Sequence, residues 1–230
     1  IVHAVQQERH PAAVTFKEGQ SKFGMTLADA ATDGVDHRHH VFQRMRHDMA
    51  QEQIIAETIA DLRRTELLKA ARPTRFGGFA LDLDQVMAII SELGRGCGST
   101  AWVYGVYCDH NITLGMFPGA MQEDVWAKQP DALISAGLAP GGTIQRTAGG
   151  YRLSGRWSYS SGCTHADWAF VQTMLPSSDG AAPPEAIYVL VPRADFRIID
   201  TWEVVGLCGT GSNDLEVTDA FIPSHRTLRV

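Results

Sequence analysis

The spacing of apolar positions changes near residue 130, and the elements it predicts change with it. From about His40 to Ala71, Val41, Met45, Ile55, Ile59, Leu62 and Leu67 recur at helical intervals with charges between them. That spacing predicts one long or two short amphipathic helices. Pro73 ends the run, and Phe76-Gly77-Gly78-Phe79 reads as a turn. Asp82 followed by Gln85 has the form of a capping box, and Val86, Met87, Ile89, Ile90 and Leu93 then make a second helical face. Gly94, Gly96 and Gly98 stop that helix. No predicted strand precedes them and Ser99 stands where a third glycine belongs, so they are not a dinucleotide fingerprint. Ser99 is placed to cap a mostly apolar helix from Thr100 to about Leu114, which carries Trp102, Tyr104, Tyr107, Asp109, His110 and Asn111. Trp102 and His110 lie about two turns apart and can share a face. Pro118 closes this helix, and Ala120 to Lys128 forms a short further one.

After Pro130 glycines, β-branched residues and short alternating runs take over. Strands are predicted near Leu133–Ala136, Thr143–Thr147, Tyr151–Tyr159, Trp168–Met174, Ile187–Val191, Arg197–Trp202 and Leu215–Phe221, with Pro176 to Pro184 as a hairpin loop. In the third, Tyr151, Leu153 and Gly155 share one face while Arg152, Ser154 and Arg156 share the other. It runs into Trp157, Tyr159, Ser158, Ser160, Ser161 and Gly162, an aromatic-and-hydroxyl stretch that suits the polar edge of a flat ring and equally suits a Ser/Gly turn. Helices first and strands second predict an α+β fold with a small antiparallel barrel or sandwich after residue 130. Residues 1–37 are weakly patterned, and loose order is expected there.

Composition narrows the function classes. The chain has 230 residues, 44% of them hydrophobic, with a formal net charge of −6. No basic stripe is present, which counts against nucleic-acid binding, and no apolar run is long enough for a membrane span. The first residues match neither a signal nor a transit peptide, and a cytoplasmic protein is expected. Cys97, Cys108, Cys163 and Cys208 are scattered without a Cys-x-x-Cys pair, which predicts free thiols used in packing. Asp36-His37-Arg38-His39-His40 lacks a second ligand cluster, so it reads as a solvated helix start rather than a metal tract.

Arg75-Phe76-Gly77-Gly78, Gly98-Ser99-Thr100-Ala101-Trp102-Val103, Leu153-Ser154-Gly155-Arg156-Trp157, Ser160-Ser161-Gly162-Cys163 with His165-Ala166-Asp167-Trp168, and Asp200-Thr201-Trp202 through Val205-Gly206-Leu207 to Gly209-Thr210-Gly211-Ser212 occur in this order. Together they resemble the oxygenase component of two-component, reduced-flavin-dependent aromatic hydroxylases, of the 4-hydroxyphenylacetate 3-hydroxylase and secosteroid phenol hydroxylase type. The resemblance runs from about residue 52 to 228 and leaves 1–35 poorly matched. It implies an acyl-CoA dehydrogenase-like fold: an N-terminal helical domain over 36–130, a middle β-domain over 131–230, and a C-terminal four-helix bundle that this sequence lacks. The neighbouring reading is an acyl-CoA dehydrogenase-type FAD oxidoreductase. A third is a non-catalytic remnant that binds flavin or a partner.

The resemblance also implies chemistry. A phenolic substrate is hydroxylated with O2, using reduced flavin (FMN, with FAD as the alternative) from a separate flavin reductase, in a homo-oligomer that is a tetramer in full-length relatives. His110 falls where the hydroxylases carry the histidine that readies the phenol; the ordinary alternative is a buried histidine satisfied by a backbone carbonyl. Ser135 falls in the substrate-contacting region, with Ala136 competing for that position. Trp102, Gly137, Leu138, Ser158, Tyr159, Ser160 and Ser161 should border the flavin. Gly209-Thr210-Gly211 could meet a phosphate or make a tight hairpin.

Overall fold

The computed structural model describes residues 56–178 and 181–229. All of them lie in one compact unit. The segment before residue 56, with the Asp36–His40 tract and the first part of the expected long helix, lies outside the described residues.

Helix α1 (Ala56–Arg64) buries Ile59 and Leu62. It stops well before Ala71 because Glu66 adopts a left-handed backbone (φ 59°), after which Leu67–Lys69 is a single 3-10 turn. Helix α2 (Leu83–Gly96) starts at Asp82 with both halves of the expected capping box in place. It buries Val86 and Ile89 but leaves Leu83 and Met87 exposed. Helix α3 (Gly98–Gly115) begins one residue before Ser99. Cys97 is the N-cap through its extended backbone, with no side-chain cap, so Ser99 sits inside the first turn and does not cap it. Helix α4 (Gly119–Gln122) passes into a π-helical turn, Glu123–Ala127.

Eight strands follow: β1 (Ile134–Gly137), β2 (Thr143–Thr147), β3 (Gly150–Ser160), β4 (Trp168–Leu175), β5 (Glu185–Pro192), β6 (Phe196–Ile199), β7 (Asn213–Pro223) and β8 (Thr227–Arg229). They form two four-stranded sheets, ordered β1-β4-β5-β8 and β2-β3-β7-β6. Two readings need correction. Of the expected barrel or sandwich, the described residues form no closed barrel, and the strands are not all antiparallel: β1 pairs parallel to β4, Ser135 opposite Ala169, because the chain visits the other sheet between them. The expected strand to Trp202 ends at Ile199, since the Thr201 and Trp202 N–H groups both donate to Asn213 Oδ1 instead of a neighbouring strand.

The two sheets pack face to face over Leu153, Trp157, Val171, Val189, Leu215 and Ile222. Trp157 ties them further by donating its indole N–H to Gln172 O at 2.7 Å. A separate core holds α1, α2 and α3 together. A third joins helices to sheet, with Leu114, Phe117, Met121 and Trp126 against Ile134, Trp168 and Phe170. Asp124 adds a clamp from the helical side, accepting from Lys128 Nζ (2.7 Å), His225 Nε2 (2.7 Å) and Arg226 Nε (2.8 Å). Burial pushes the Asp124 carboxyl pKa up, but these three donors outweigh that and hold it below the usual carboxylate range. Among the described residues no helix is long and apolar enough to cross a membrane.

Candidate functional site

Helix α3 is apolar on nearly every side, and its polar side chains are used to reach other elements. On one side Tyr104 Oη–H donates to Leu67 O and Asn111 Nδ2–H donates to Leu68 O, both at 3.1 Å, fixing α3 against the helical part. Three other side chains reach the β part. Trp102 Nε1–H donates to Ser161 Oγ at 3.0 Å, Tyr107 Oη–H to Gly162 O at 2.7 Å, and His110 Nδ1 bonds Ile134 O at 2.6 Å. Gly162 is required at this approach: its φ is +71°, and a Cβ there would stand 2.7 Å from Tyr107 Oη.

The His110 contact fixes its chemistry. A carbonyl can only accept, so Nδ1 carries the proton and, in the neutral ring, Nε2 keeps its lone pair. The ring is 5% exposed and meets the Phe170 ring edge-on, centroids 6.0 Å apart. Burial pushes its pKa down; the Ile134 hydrogen bond and the charge of Asp109 oppose this without cancelling it. His110 is therefore a neutral imidazole at pH 7. The ordinary role of a buried histidine, donation to a backbone carbonyl, is met, but it occupies one nitrogen only.

Ser135 follows Ile134 on β1. It is fully buried, and its Oγ has no hydrogen-bond partner; the same holds for Ser160 at the end of β3. An unsatisfied buried hydroxyl costs about 1–3 kcal/mol, so each suits a site that a ligand or water completes. Gly137 has a packing duty: a Cβ there would stand 2.4 Å from Trp157 Cβ. Leu138 is exposed just beyond β1. Ser158 is half-buried, at a register break of β3 against β7 between Trp157 and Ser160. Tyr159 lies in the same break with φ +65°, left-handed backbone that a tyrosine rarely adopts, and is 72% exposed. Its ring meets Trp202 edge-on at 6.1 Å. Trp102 is 52% exposed despite its bond to Ser161.

The predicted residues thus fall into two groups. His110 is tied to the strand that carries Ser135, deep in the molecule. Trp102 and Ser161 are joined nearer the surface, while Leu138 and Tyr159 stand exposed. Sequence reasoning missed Tyr107 as a strut and Ser212 as a site neighbour. Ser161 Oγ lies 2.8 Å from Ser212 Oγ, and Ser212 Oγ lies 2.7 Å from Thr210 Oγ1. Thr210 Oγ1–H donates to Leu207 O at 2.9 Å, so the Gly209–Gly211 stretch is a tight turn with its hydroxyl turned inward. The cluster Gly-Thr-Gly-Ser was the only signal, and it names no partner. All four cysteines are free; burial pushes the Cys108 and Cys163 thiols up to about 11.

No protein-family model matches the chain. It is 39% identical over 172 residues to the oxygenase subunit HsaA of a flavin-dependent monooxygenase from Rhodococcus jostii, covering 75% of this chain and 44% of that protein. It is 40% identical over 173 residues to the oxygenase component of an FADH2-dependent resorcinol hydroxylase from a Rhizobium species, covering 75% and 42%. The solved structure of 3-HSA hydroxylase from Rhodococcus superposes with a TM-score of 0.77 at 37% identity, covering 83% of this chain and 49% of that one. The chain thus spans less than half the length of these two curated relatives. The relatives it resembles in sequence and in fold are oxygenase components of flavin-dependent monooxygenases, with a mixed helix-and-sheet architecture of the acyl-CoA dehydrogenase type.

Proposed function

We propose that this chain carries the flavin- and substrate-facing part of an oxygenase component that hydroxylates a phenolic aromatic compound with O2. A separate reductase supplies the reduced flavin, FMN in the first instance and FAD as the alternative. The segments 36–130 and 131–230 act as its two domains, within a homo-oligomer. The relatives' names support flavin, a phenol and a second component.

The observation that carries the reading is His110. Its Nδ1–H is committed to Ile134 O, which leaves Nε2 as an oriented, neutral acceptor in a dry setting. A phenol has a pKa of about 10, so imidazole takes its proton at pH 7 only where the site stabilises the phenolate. Removing that proton makes the ring carbon electron-rich. Ser135, with its unpartnered Oγ beside Ile134, is suited to hydrogen-bond the phenolic oxygen.

Nearer the surface, Trp102 and Tyr159 offer flat faces to an isoalloxazine, and beneath them the buried Ser160 has an unpartnered hydroxyl. Ser158, Ser161, Gly137 and Leu138 complete the border, with hydroxyls and backbone groups toward the ring's N5 and carbonyl edge. Reduced flavin, when bound, supplies the electrons that activate oxygen for transfer to the ring. The residues of this chain orient the two rings, exclude water and hold the phenolic proton at His110 Nε2.

The test is to titrate the protein anaerobically with photoreduced FMN and FAD, then add 18O2 and a phenol panel that includes resorcinol and 4-hydroxyphenylacetate. A product with one 18O atom is expected. Reduction of bound flavin by an acyl-CoA thioester, with no labelled phenol, would overturn the proposal.

A further inference from the structure

Ser161, Ser212 and Thr210 form a continuous line of hydroxyls, 8%, 4% and 2% exposed. The ends of the line have fixed polarity. The Trp102 indole can only donate, and the Leu207 carbonyl can only accept. Each hydroxyl between them owns one proton. Thr210 gives its proton to Leu207 O at 2.9 Å, so its contact with Ser212 at 2.7 Å must be one in which Ser212 donates. Ser212, having given its proton away, must accept from Ser161 at 2.8 Å. Ser161 in turn accepts from Trp102 at 3.0 Å. This is the one arrangement in which all four contacts are hydrogen bonds. Leu207 O also takes the Trp202 indole N–H at 3.1 Å and the Thr210 backbone N–H at 3.0 Å, so the turn converges its donors on that carbonyl.

We infer that Thr210 and Ser212 are positioning residues that make Ser161 an obligate hydrogen-bond acceptor, and that this gives the site a preference for reduced over oxidised flavin. The inference rests on the flavin reading of the preceding section. Ser161 Oγ has two lone pairs; Trp102 uses one, and the other is free to accept while no proton is free to donate. The N5 atom of an isoalloxazine bears a hydrogen when reduced and a bare lone pair when oxidised. Ser161 held in this state bonds the reduced form and sets lone pair against lone pair in the oxidised one. An unrestrained serine would rotate its hydroxyl and serve both.

The experiment measures Kd for oxidised and anaerobically photoreduced FMN in the parent chain, Ser212→Ala, Ser212→Thr and Thr210→Val. Ser212→Ala releases the Ser161 proton, so the reduced-over-oxidised preference should fall about tenfold. For a two-electron couple that equals about 30 mV off the bound potential. Thr210→Val should act in the same direction, and Ser212→Thr, which keeps the hydroxyl, should restore the parental ratio. An unchanged ratio in Ser212→Ala, or an equal loss in Ser212→Thr, overturns the relay. Binding of neither flavin by the parent chain removes the flavin reading of the site as well. Should the variants fail to fold, neutron diffraction of the parent decides: the Ser161 proton must point at Ser212 Oγ, and any other direction refutes the inference.

Discussion

The two ends of helix α3 are built on opposite principles. At the His110 end the surroundings are dry, one ring nitrogen is held by a carbonyl, and the neighbouring serine hydroxyl has no partner. At the Trp102 end the indole is half in solvent, yet the hydroxyls of Ser161, Ser212 and Thr210 behind it are all bonded. A group that must change its protonation is kept free on one side and anchored on the other. A group that must recognise a ligand's hydrogen is instead fixed completely. Under the proposed function, the difference separates proton transfer from recognition along one helix.

The comparison breaks most visibly at His110. In the proposed reaction His110→Ala should slow hydroxylation by roughly a hundredfold or more, the scale of a lost general base, while reduced flavin is still oxidised and hydrogen peroxide is released. Product formed per flavin oxidised measures it, and unchanged coupling would reduce His110 to a packing residue. The next effect lies at the strut between the two ends. Gly162→Ala puts a Cβ against Tyr107 Oη on a left-handed backbone, and should cost about 2 kcal/mol in urea unfolding. Tyr107→Phe, which loses only the bond to Gly162 O, should cost about 1 kcal/mol.

A smaller effect follows from the lowered pKa of His110. A histidine depressed below its ordinary 6.5 binds protons more readily in the unfolded chain, so its stability contribution is intact above pH 6.5 and is lost as pH falls. The slope is at most about 1.4 kcal/mol per pH unit. It should be present in the parent chain between pH 6.5 and 5 and reduced in His110→Gln. The smallest expected change in stability is at the exposed end: Tyr159→Asn, which tolerates the left-handed backbone, should shift unfolding by under about 1 kcal/mol yet weaken flavin binding. If binding is unaffected, Tyr159 does not face the flavin.

Much of this architecture could be read from residue patterns, and the exceptions have physical causes. β-branched residues between Gly142 and Gly149 marked Thr143–Thr147 as a strand, and the Asp82–Gln85 pair marked the start of α2. A period of two says which face is buried but not which strand is the neighbour, so the parallel pairing of β1 with β4 was not accessible. Strand β8 has only three residues, too few to show a period. Tyr159 falls at the end of a predicted strand and among the residues expected to border the flavin, but nothing in a tyrosine announces positive φ. At the candidate site, the placement of His110 and Trp102 on one helix was legible from its apolar run. Ser212 was not, since its partner Ser161 lies 51 residues away and only folding brings the two hydroxyls together.

The Asp124 clamp has a kinetic consequence. It bonds groups separated by 101 and 102 positions, across both sheets, so its loop closes only after most of the chain is ordered. An interaction closed over so long a loop is expected to form after the folding transition state. Its strength therefore governs how slowly the native protein comes apart rather than how fast it assembles. Arg226→Ala should shift the unfolding limb of a chevron plot to faster rates while leaving the refolding limb in place. A clamp of this kind lengthens the lifetime of the folded chain without making it a faster folder.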